Sequence, residues 1–179
     1  MYSHYKTFAF SFVYILIATA CSSPSQEQSS EQAQETQVAN DVKEKPSAEQ
    51  QSLVKVVDHY LLLKDALVAS SLQEAQAKAT SMLEVIDATN MMGVQQSAKQ
   101  IAAAENIETQ RAYFDSLSVY VYKHLESQNG EERTLYKQFC PMAFDDRGAY
   151  WLSNAKEIRN PYFGDKMLSC GQVEETLTY

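Results

Sequence analysis

Residues 47–68 read SAEQQSLVKVVDHYLLLKDALV, and this stretch carries the clearest helix signal of the chain. Ser47 and Gln50 stand three residues apart, as in a capping box, where each side chain bonds the other residue's backbone N–H at a helix start. Apolar residues then recur every three or four positions, which is the spacing of one helix face. These residues are Leu53, Val56, Val57, Tyr60, Leu63 and Leu67. The stretch therefore predicts an amphipathic helix that packs on its neighbours through a wide apolar face.

Three more helices are predicted downstream. Ser71 and Glu74 form a second capping box, and Gly93 is expected to end that helix in the left-handed conformation of a C-cap. A shorter helix is predicted through VQQSAKQIAAA, residues 94–104. Asn106 is predicted to cap a long fourth helix. The apolar face of that helix consists of Phe114, Leu117, Val121 and Leu125.

The composition favours helices and argues against nucleic acid as a partner. The chain has 179 residues with only 5 glycines and 4 prolines, and 23 acidic against 15 basic residues give a net charge of −8. Binding of phosphates needs clustered Lys and Arg, which this chain lacks. Short connections between amphipathic helices favour antiparallel neighbours. We predict an all-α fold, an antiparallel up-down bundle of about four helices with an aromatic-rich C-terminal block of loops and short helices packed on it.

The first 46 residues predict export and anchoring rather than a folded part. Residues 1–20 combine Lys6 with a short apolar run, and small residues precede Cys21, as in a bacterial lipoprotein signal peptide. Residues 21–46 are polar and lack aromatic residues, which predicts a disordered tether after a lipidated Cys21. Residues 47–179 are predicted to form a single helical domain. The expected location is the cell envelope, lipid-anchored in the outer membrane and facing the periplasm.

The two cysteines after Cys21 lie in a distinct block, residues 134–177, and each has a methionine close by. QFCPMAFDD contains Cys140 and Met142, and DKMLSCG contains Met167 and Cys170. The first pair is predicted to point to one side of an extended segment. The second pair, three residues apart, is predicted to share a face of one helical turn. Each pair is thus arranged locally, and one tertiary contact would bring the four sulfurs together.

The rest of this block is predicted as a short helix, a turn and a buried arginine. AYWLSNAKEI, residues 149–158, is interpreted as the helix. RNPYFGD, residues 159–165, is interpreted as the turn, because a residue before proline avoids the helical region. Arg159 is interpreted as a buried arginine that bonds loop carbonyls or an acid.

The block resembles an uncharacterised bacterial domain family. Its motifs are Cys-Pro-Met at 140–142, Gly-Ala-x-Trp-Leu-Ser at 148–153, Glu-Ile-Arg-Asn-Pro-Tyr-Phe-Gly at 157–164 and Met-Leu-x-Cys-Gly at 167–171. The resemblance runs from about residue 52 to 177. That family occurs as lipoproteins and as a C-terminal extension of periplasmic adaptors of copper/silver-type efflux pumps. The resemblance therefore implies a link to soft-metal handling, with an efflux adaptor or another copper-handling protein as partner.

Three interpretations of the sulfur residues stay open at this point. Cys140, Met142, Met167 and Cys170 are soft ligands that select Cu(I) or Ag(I). The two cysteines are also a candidate disulfide, because such pairs are common outside the cytoplasm. Free thiols within the core are the third interpretation. His59 and His124 are candidate additional ligands, although a lone histidine on a helix is more often structural.

The sequence predicts a binding protein rather than an enzyme, because it contains none of the familiar hydrolase, P-loop or dinucleotide motifs. The expected function is that of a membrane-tethered periplasmic lipoprotein that binds Cu(I) or Ag(I) for sequestration or for delivery to efflux. The alternative is a disulfide-stapled helical module that binds another protein without metal.

Overall fold

The computed structural model describes residues 47–87, 89–128 and 133–179. The predicted signal peptide, the lipidation site Cys21 and the predicted tether lie outside these residues. The described chain begins with four helices, α1 Ala48–Val68, α2 Leu72–Leu83, α3 Met92–Ala103 and α4 Ile107–Glu126. Within the described ranges, no helix has both the length and the apolar character that crossing a membrane requires.

The helix starts follow the predicted caps. The backbone N–H of Gln50 donates to Ser47 Oγ at 3.2 Å, and the N–H of Ser47 donates to Gln50 Oε1 at 2.8 Å, which confirms the capping box. Asn106 Oδ1 accepts from the N–H of Thr109 at 2.8 Å. The prediction that the second helix ends at Gly93 is wrong. Helix α2 already ends at Leu83, and Gly93 lies in the first turn of α3.

The apolar faces of the helices meet in one core. All six residues predicted for the face of α1 are buried, as are the four predicted for α4. Helix α1 packs on α2 and α4, and α3 packs on the same two helices. Burial of such faces contributes about 25 cal/mol per Å² of apolar surface removed from water, so this core is the main source of stability of the helical part.

The C-terminal block forms a sheet, and the predicted all-α fold is therefore wrong. The strands are β1 Thr134–Cys140, β2 Ala149–Ser153 and β3 Gln172–Thr178, in the antiparallel order β2–β1–β3. The segment interpreted as a short helix supplies β2. Its apolar run is buried almost completely, so it lacks the alternation by which a strand is recognised. Within the described residues, these four helices are joined to a three-stranded sheet.

An aromatic cluster joins the helices to the sheet. The rings of Tyr60 and Phe114 stack with centroids 5.0 Å apart. The Tyr162 ring lies 6.0 Å from Phe114 and 5.9 Å from Trp151, so it links α4 to β2. The turn predicted at residues 159–165 is confirmed, because residues 161–163 form it, and the turn carries Tyr162 into this cluster.

Candidate functional site

The two cysteines of the C-terminal block lie in direct contact. Cys140 is the last residue of β1 and is fully buried, whereas Cys170 lies in the loop before β3 and is half-buried. Their Sγ atoms are 2.7 Å apart. This distance is longer than the about 2.05 Å of a disulfide bond and shorter than the about 3.5–4.0 Å at which non-bonded carbon atoms pack. The pair is therefore close enough to share a proton or to form a bond, and the two sulfurs would have to move apart to hold an ion between them.

The pairing of β1 with β3 brings these cysteines together. Phe139 is the register partner of Gln172, so Cys140 and Cys170 stand at the same end of the two strands. Gly171 connects Cys170 to β3 with a φ of +140°, and a Cβ there would lie 2.9 Å from both the Phe139 carbonyl oxygen and the Trp151 ring. Only glycine accepts that φ and that space without strain.

Asn160 fixes the loop that carries Cys170. Its Nδ2 donates to the Cys170 carbonyl at 2.8 Å, and its backbone N–H donates to the Leu168 carbonyl at 2.8 Å. Its Oδ1 accepts from the backbone N–H of Tyr162 at 2.8 Å. Asn160 is fully buried, so these bonds are shielded from water. One side chain thus ties the Asn-Pro turn to the residue that presents the second sulfur.

The contact between the sulfurs keeps Cys170 protonated at neutral pH. The hydrogen bond with Cys140, followed by partial burial, raises the pKa of the Cys170 thiol from an ordinary value of 9.0 to about 11. Because the thiolate is the nucleophile and the metal ligand, a raised pKa makes Cys170 a slow nucleophile. Any metal that binds here has to displace protons.

The methionines lie elsewhere, and the predicted geometry of the first pair is wrong. Pro141 and Met142 form a turn after β1 instead of continuing the extended segment, so Met142 is 48% exposed while Cys140 is fully buried. Met167 follows a single 3₁₀ turn, Gly164–Lys166, and its carbonyl accepts from the Cys170 N–H at 3.1 Å. Met142 and Met167 both line a cavity of about 610 Å³, and neither cysteine belongs to its lining.

A strained turn forms one wall of this cavity. Phe144, Asp145 and Asp146 have positive φ angles of 54°, 54° and 62°. Left-handed conformations cost roughly 1–2 kcal/mol per residue for L-amino acids, so neighbouring contacts have to hold the turn. The Arg147 guanidinium bonds Asp115 of α4 at 2.7 Å, and the Phe144 ring lies 5.3 Å from Tyr162.

Arg111 of α4 lines the same cavity, and no sequence pattern indicates its role. It is 6% exposed, and its Nε donates to the Pro161 carbonyl at 2.9 Å. Its Nη2 donates to Ser70 Oγ at 2.9 Å and to the Leu67 carbonyl at 3.3 Å. Arg111 therefore covers the C-terminal end of α1, where the helix dipole favours a cation. The interpretation of Arg159 as the buried arginine is wrong, because Arg159 is exposed.

The two candidate histidines do not join the cysteines. His59 lies on α1 and its buried Nδ1 has no hydrogen-bond partner, and His124 lies in the last turn of α4. In the part of the chain that the structure describes, no three His, Cys, Asp or Glu side chains converge on one point. The structure thus brings the two cysteines into contact, and it places the two methionines in the lining of one cavity.

Residues 56–133 match the model of a protein family described as Protein of unknown function (DUF3347). The match covers most of α1 and all of α2, α3 and α4, and it ends before β1. No curated protein and no solved structure gives a significant match. The helical part is thus similar to a family without a known function. The lipoprotein and efflux context that the resemblance implied for the Cys/Met block stays a prediction.

Proposed function

We propose that this protein binds a soft monovalent metal ion, Cu(I) or Ag(I), through the thiolates of Cys140 and Cys170. The observation that carries the proposal is the 2.7 Å contact between the two sulfurs, one on the end of β1 and the other on a loop fixed by Asn160. Thiolates are soft ligands that favour Cu(I) over hard cations such as Mg²⁺ or Ca²⁺. The buried position of Cys140 protects a bound ion from water and oxidants.

The proposed setting is the cell envelope. A lipid on Cys21 and the polar segment 21–46 would hold the binding domain close to a membrane surface. From there the protein would sequester the ion or deliver it to an efflux adaptor or another copper-handling partner. The support for this setting is the sequence pattern of the first 46 residues and the resemblance of the Cys/Met block.

Cys170 does not have the lowered pKa by which a catalytic cysteine is usually recognised. Catalytic cysteines usually have a lowered pKa, because the thiolate is the reactive form. The contact with Cys140 raises the pKa of Cys170 instead. A thiol pair of this kind exchanges protons for a metal ion and reacts slowly with electrophiles at neutral pH.

A disulfide-stapled interaction module is the second candidate, because the same short distance favours it. Cys140 and Cys170 are 30 residues apart, and a disulfide that closes such a loop is worth roughly 3 kcal/mol. In that case the bond stabilises the sheet, and the protein binds another protein without metal. The two functions differ in the oxidation state of one pair of sulfurs.

An anaerobic Cu(I) competition titration distinguishes metal binding from the disulfide-stapled module. The full-length chain with Cys21→Ser contributes only Cys140 and Cys170 thiols, which are counted before the titration. The reduced protein is expected to bind one Cu(I), and Cys140→Ser or Cys170→Ser is expected to weaken binding at least ~100-fold, which corresponds to ~2.7 kcal/mol. Ser169→Ala, an exposed neighbour, is the matched control. Unchanged affinity in both cysteine variants, or no binding after full reduction, would contradict the proposal.

A further inference from the structure

A groove of mostly polar side chains runs between α3 and α4. It consists of two adjoining cavities of about 240 and 300 Å³, which share Gln100 and Tyr113. Its lining residues on α3 lie three, four and seven positions after the first of them, so they form one face of that helix. They are Gly93, Gln96, Ser97 and Gln100, and α4 supplies Tyr113, Ser116 and Tyr120. The groove shares no residue with the cysteine pair or with the cavity of about 610 Å³.

The lining of the groove is rich in neutral hydrogen-bonding groups. Gln96, Gln100 and Asn106 supply amides, and serine and threonine side chains supply hydroxyls. Among the described residues that line the groove, Glu105 alone is charged, and it is exposed. Binding of phosphates or carboxylates calls for Arg or Lys, which these lining residues do not include. The groove is therefore suited to an uncharged ligand with many polar groups.

Ser97 indicates that a ligand belongs in the groove. It is 5% exposed, and its hydroxyl has no hydrogen-bond partner within residues 47–87, 89–128 and 133–179, although its Oγ is not sealed from water. A serine in a helix often bonds the carbonyl four residues back, as Ser118 does with Phe114. A buried hydroxyl without a partner is costly. Because Ser97 lines the groove, a group in the groove is the partner that its hydroxyl can reach.

The two tyrosine rings provide apolar surface on one side of α4. Tyr113 and Tyr120 are 36% and 40% exposed, and seven residues of a helix separate them by about 10.5 Å along its axis. Three neighbouring atoms of the Tyr120 ring lie 2.6, 2.6 and 2.8 Å from where a Cβ on Gly93 would stand. Because these distances are nearly equal, the ring lies face-on against Gly93, and its other face is turned away from that glycine. The Tyr120 ring is thus held flat at one end of the groove.

We propose that this groove binds an uncharged oligosaccharide. The C–H faces of sugar rings are apolar and stack on aromatic rings, and a tyrosine combines such a ring with a polar hydroxyl. Sugar hydroxyls donate and accept hydrogen bonds, and so do the amides and hydroxyls of the lining. Tyr113 and Tyr120 are far enough apart to contact two neighbouring sugar units. This binding function is independent of metal binding by Cys140 and Cys170.

The groove suits a protein partner less well. The cores of protein interfaces are enriched in Met, Arg and aromatic residues, and they are depleted in Ser and Ala. Apart from the two tyrosines, the described lining residues include no aliphatic side chain larger than alanine. Ser97, Ser116, Ala103 and Ala104 are all part of this lining. The composition therefore favours a ligand that offers hydroxyls over one that offers apolar side chains.

The test is an NMR titration of the isotope-labelled full-length chain with Cys21→Ser. The probes are chitotetraose and maltotetraose, because both are uncharged and only the first carries acetamido groups. At least one of them is expected to shift the backbone amide signals of Ser97, Gln100 and Tyr113 in a saturable way, while the signals of β1 and β3 stay in place. Ser97→Ala is expected to weaken binding at least ~3-fold through loss of one hydrogen bond. Tyr113→Ala is expected to weaken it ~10-fold through loss of the stacked ring.

Two controls separate binding from folding. Ser97→Ala is expected to keep or raise the free energy of unfolding, because its hydroxyl has no partner to lose and alanine favours helices. A serine with a purely structural role would not combine weaker binding with unchanged stability. Leu62→Ala is the matched control for Tyr113→Ala, because Leu62 is 47% exposed and lies on α1, outside the groove. It is expected to bind the sugar as tightly as the unsubstituted protein.

Three results would overturn the proposal. The first is that neither sugar shifts the groove signals at millimolar concentration. The second is that Ser97→Ala and Tyr113→Ala both bind with unchanged affinity. The third is that the same signals shift with protein concentration in the absence of sugar, because a second copy of the chain then covers the groove. None of these measurements involves Cu(I), so failure of the sugar site is distinguishable from failure of the cysteine site.

Discussion

The backbone N–H of Leu152 on β2 donates to the hydroxyl of Tyr60 on α1 at 3.0 Å, inside the core. The Tyr60 hydroxyl in turn bonds Ser118 Oγ of α4 at 2.7 Å, and Ser118 donates to the Phe114 carbonyl at 2.9 Å. Three elements thus meet at one fully buried phenol. Burial raises the pKa of Tyr60 far above its usual value, so the hydroxyl stays neutral and can donate and accept at every ordinary pH.

Tyr60→Phe is expected to destabilise the protein by about 1–3 kcal/mol. The variant keeps the ring but leaves the buried N–H of Leu152 without a partner, and an unsatisfied buried donor costs about that much. Urea denaturation of the full-length chain measures the change. Tyr120→Phe is the control, because Tyr120 is 40% exposed and its loss of a hydroxyl is expected to be nearly neutral. Equal effects of the two substitutions would contradict the role of the network.

Arg111→Lys is expected to destabilise the protein by about 2 kcal/mol. A single ammonium cannot replace the guanidinium that bonds Pro161, Ser70 and Leu67, so buried acceptors lose their partners. The same denaturation experiment gives the value. Arg159→Lys, at an exposed position, is expected to change stability by less than about 0.5 kcal/mol. If Arg111→Lys leaves the free energy of unfolding unchanged, the end of α1 does not depend on these hydrogen bonds.

Gly171→Ala is expected to disturb the cysteine pair. Alanine at a φ of +140°, with its Cβ 2.9 Å from the Phe139 carbonyl and the Trp151 ring, forces the loop to move. A stability loss of at least about 1 kcal/mol is expected, together with weaker Cu(I) binding. The competition titration and urea denaturation report the two effects separately. If this variant keeps the metal affinity and the stability of the unsubstituted protein, Gly171 does not lie as close to the Phe139 carbonyl and the Trp151 ring as the structure shows.

The raised pKa of Cys170 predicts a pH dependence of alkylation and of stability. In the reduced protein, the rate of Cys170 alkylation by iodoacetamide is expected to rise until about pH 11, because the pKa is about 11. Since the folded pKa lies above the unfolded value of 9.0, the contribution to stability is complete below pH 9 and is lost as pH rises towards 11. Peptide mapping by mass spectrometry measures the rate of Cys170 alkylation at each pH.

Cys140→Ala is the companion variant, because Cys140 is the first cause of the shift. Its removal is expected to move the midpoint of Cys170 alkylation down towards pH 9. An alkylation profile that levels off near pH 9 in the unsubstituted reduced protein would show that the two thiols are not in contact.

The helices were predictable because local signals and the core agree. Ser47 and Asn106 cap α1 and α4 as predicted, and the apolar residues at helical spacing are the buried ones. Gly93 misled the prediction, because a glycine after a methionine pair resembles a C-cap. In the structure, this glycine instead lets α3 approach the Tyr120 ring, 2.6 Å from where a Cβ would stand.

The sheet was not predictable from periodicity. In β3, the extra residue Glu174 lies opposite Lys137 and Gln138 of β1 and breaks the register of the pair. Gln138 is a buried polar residue that bonds three carbonyls, including that of Ala155. Strand β3 is exposed along most of its length, so it has no apolar pattern. These strands are held in place by pairing with each other, and such pairing between distant residues leaves no local pattern in the sequence.

The contact between Cys140 and Cys170 was predictable from the sequence, whereas the positions of the two methionines were not. The spacing of Cys140 and Cys170 suggested a tertiary contact, and the structure places their sulfurs together. The turn at Pro141 then carries Met142 away from Cys140 and towards the cavity. Arg111 was missed, because nothing in its helix distinguishes it from a solvated arginine.

Copper K-edge X-ray absorption of the reduced full-length chain with Cys21→Ser, loaded with one Cu(I), identifies the ligands. Coordination by the Cys140 and Cys170 thiolates predicts a first shell of sulfur atoms only, and loss of the two thiolate sulfurs from that shell in the Cys140→Ser, Cys170→Ser double variant. A first shell of nitrogen or oxygen in the protein that retains both cysteines would contradict a thiolate site. An identical spectrum in the double variant would contradict it as well.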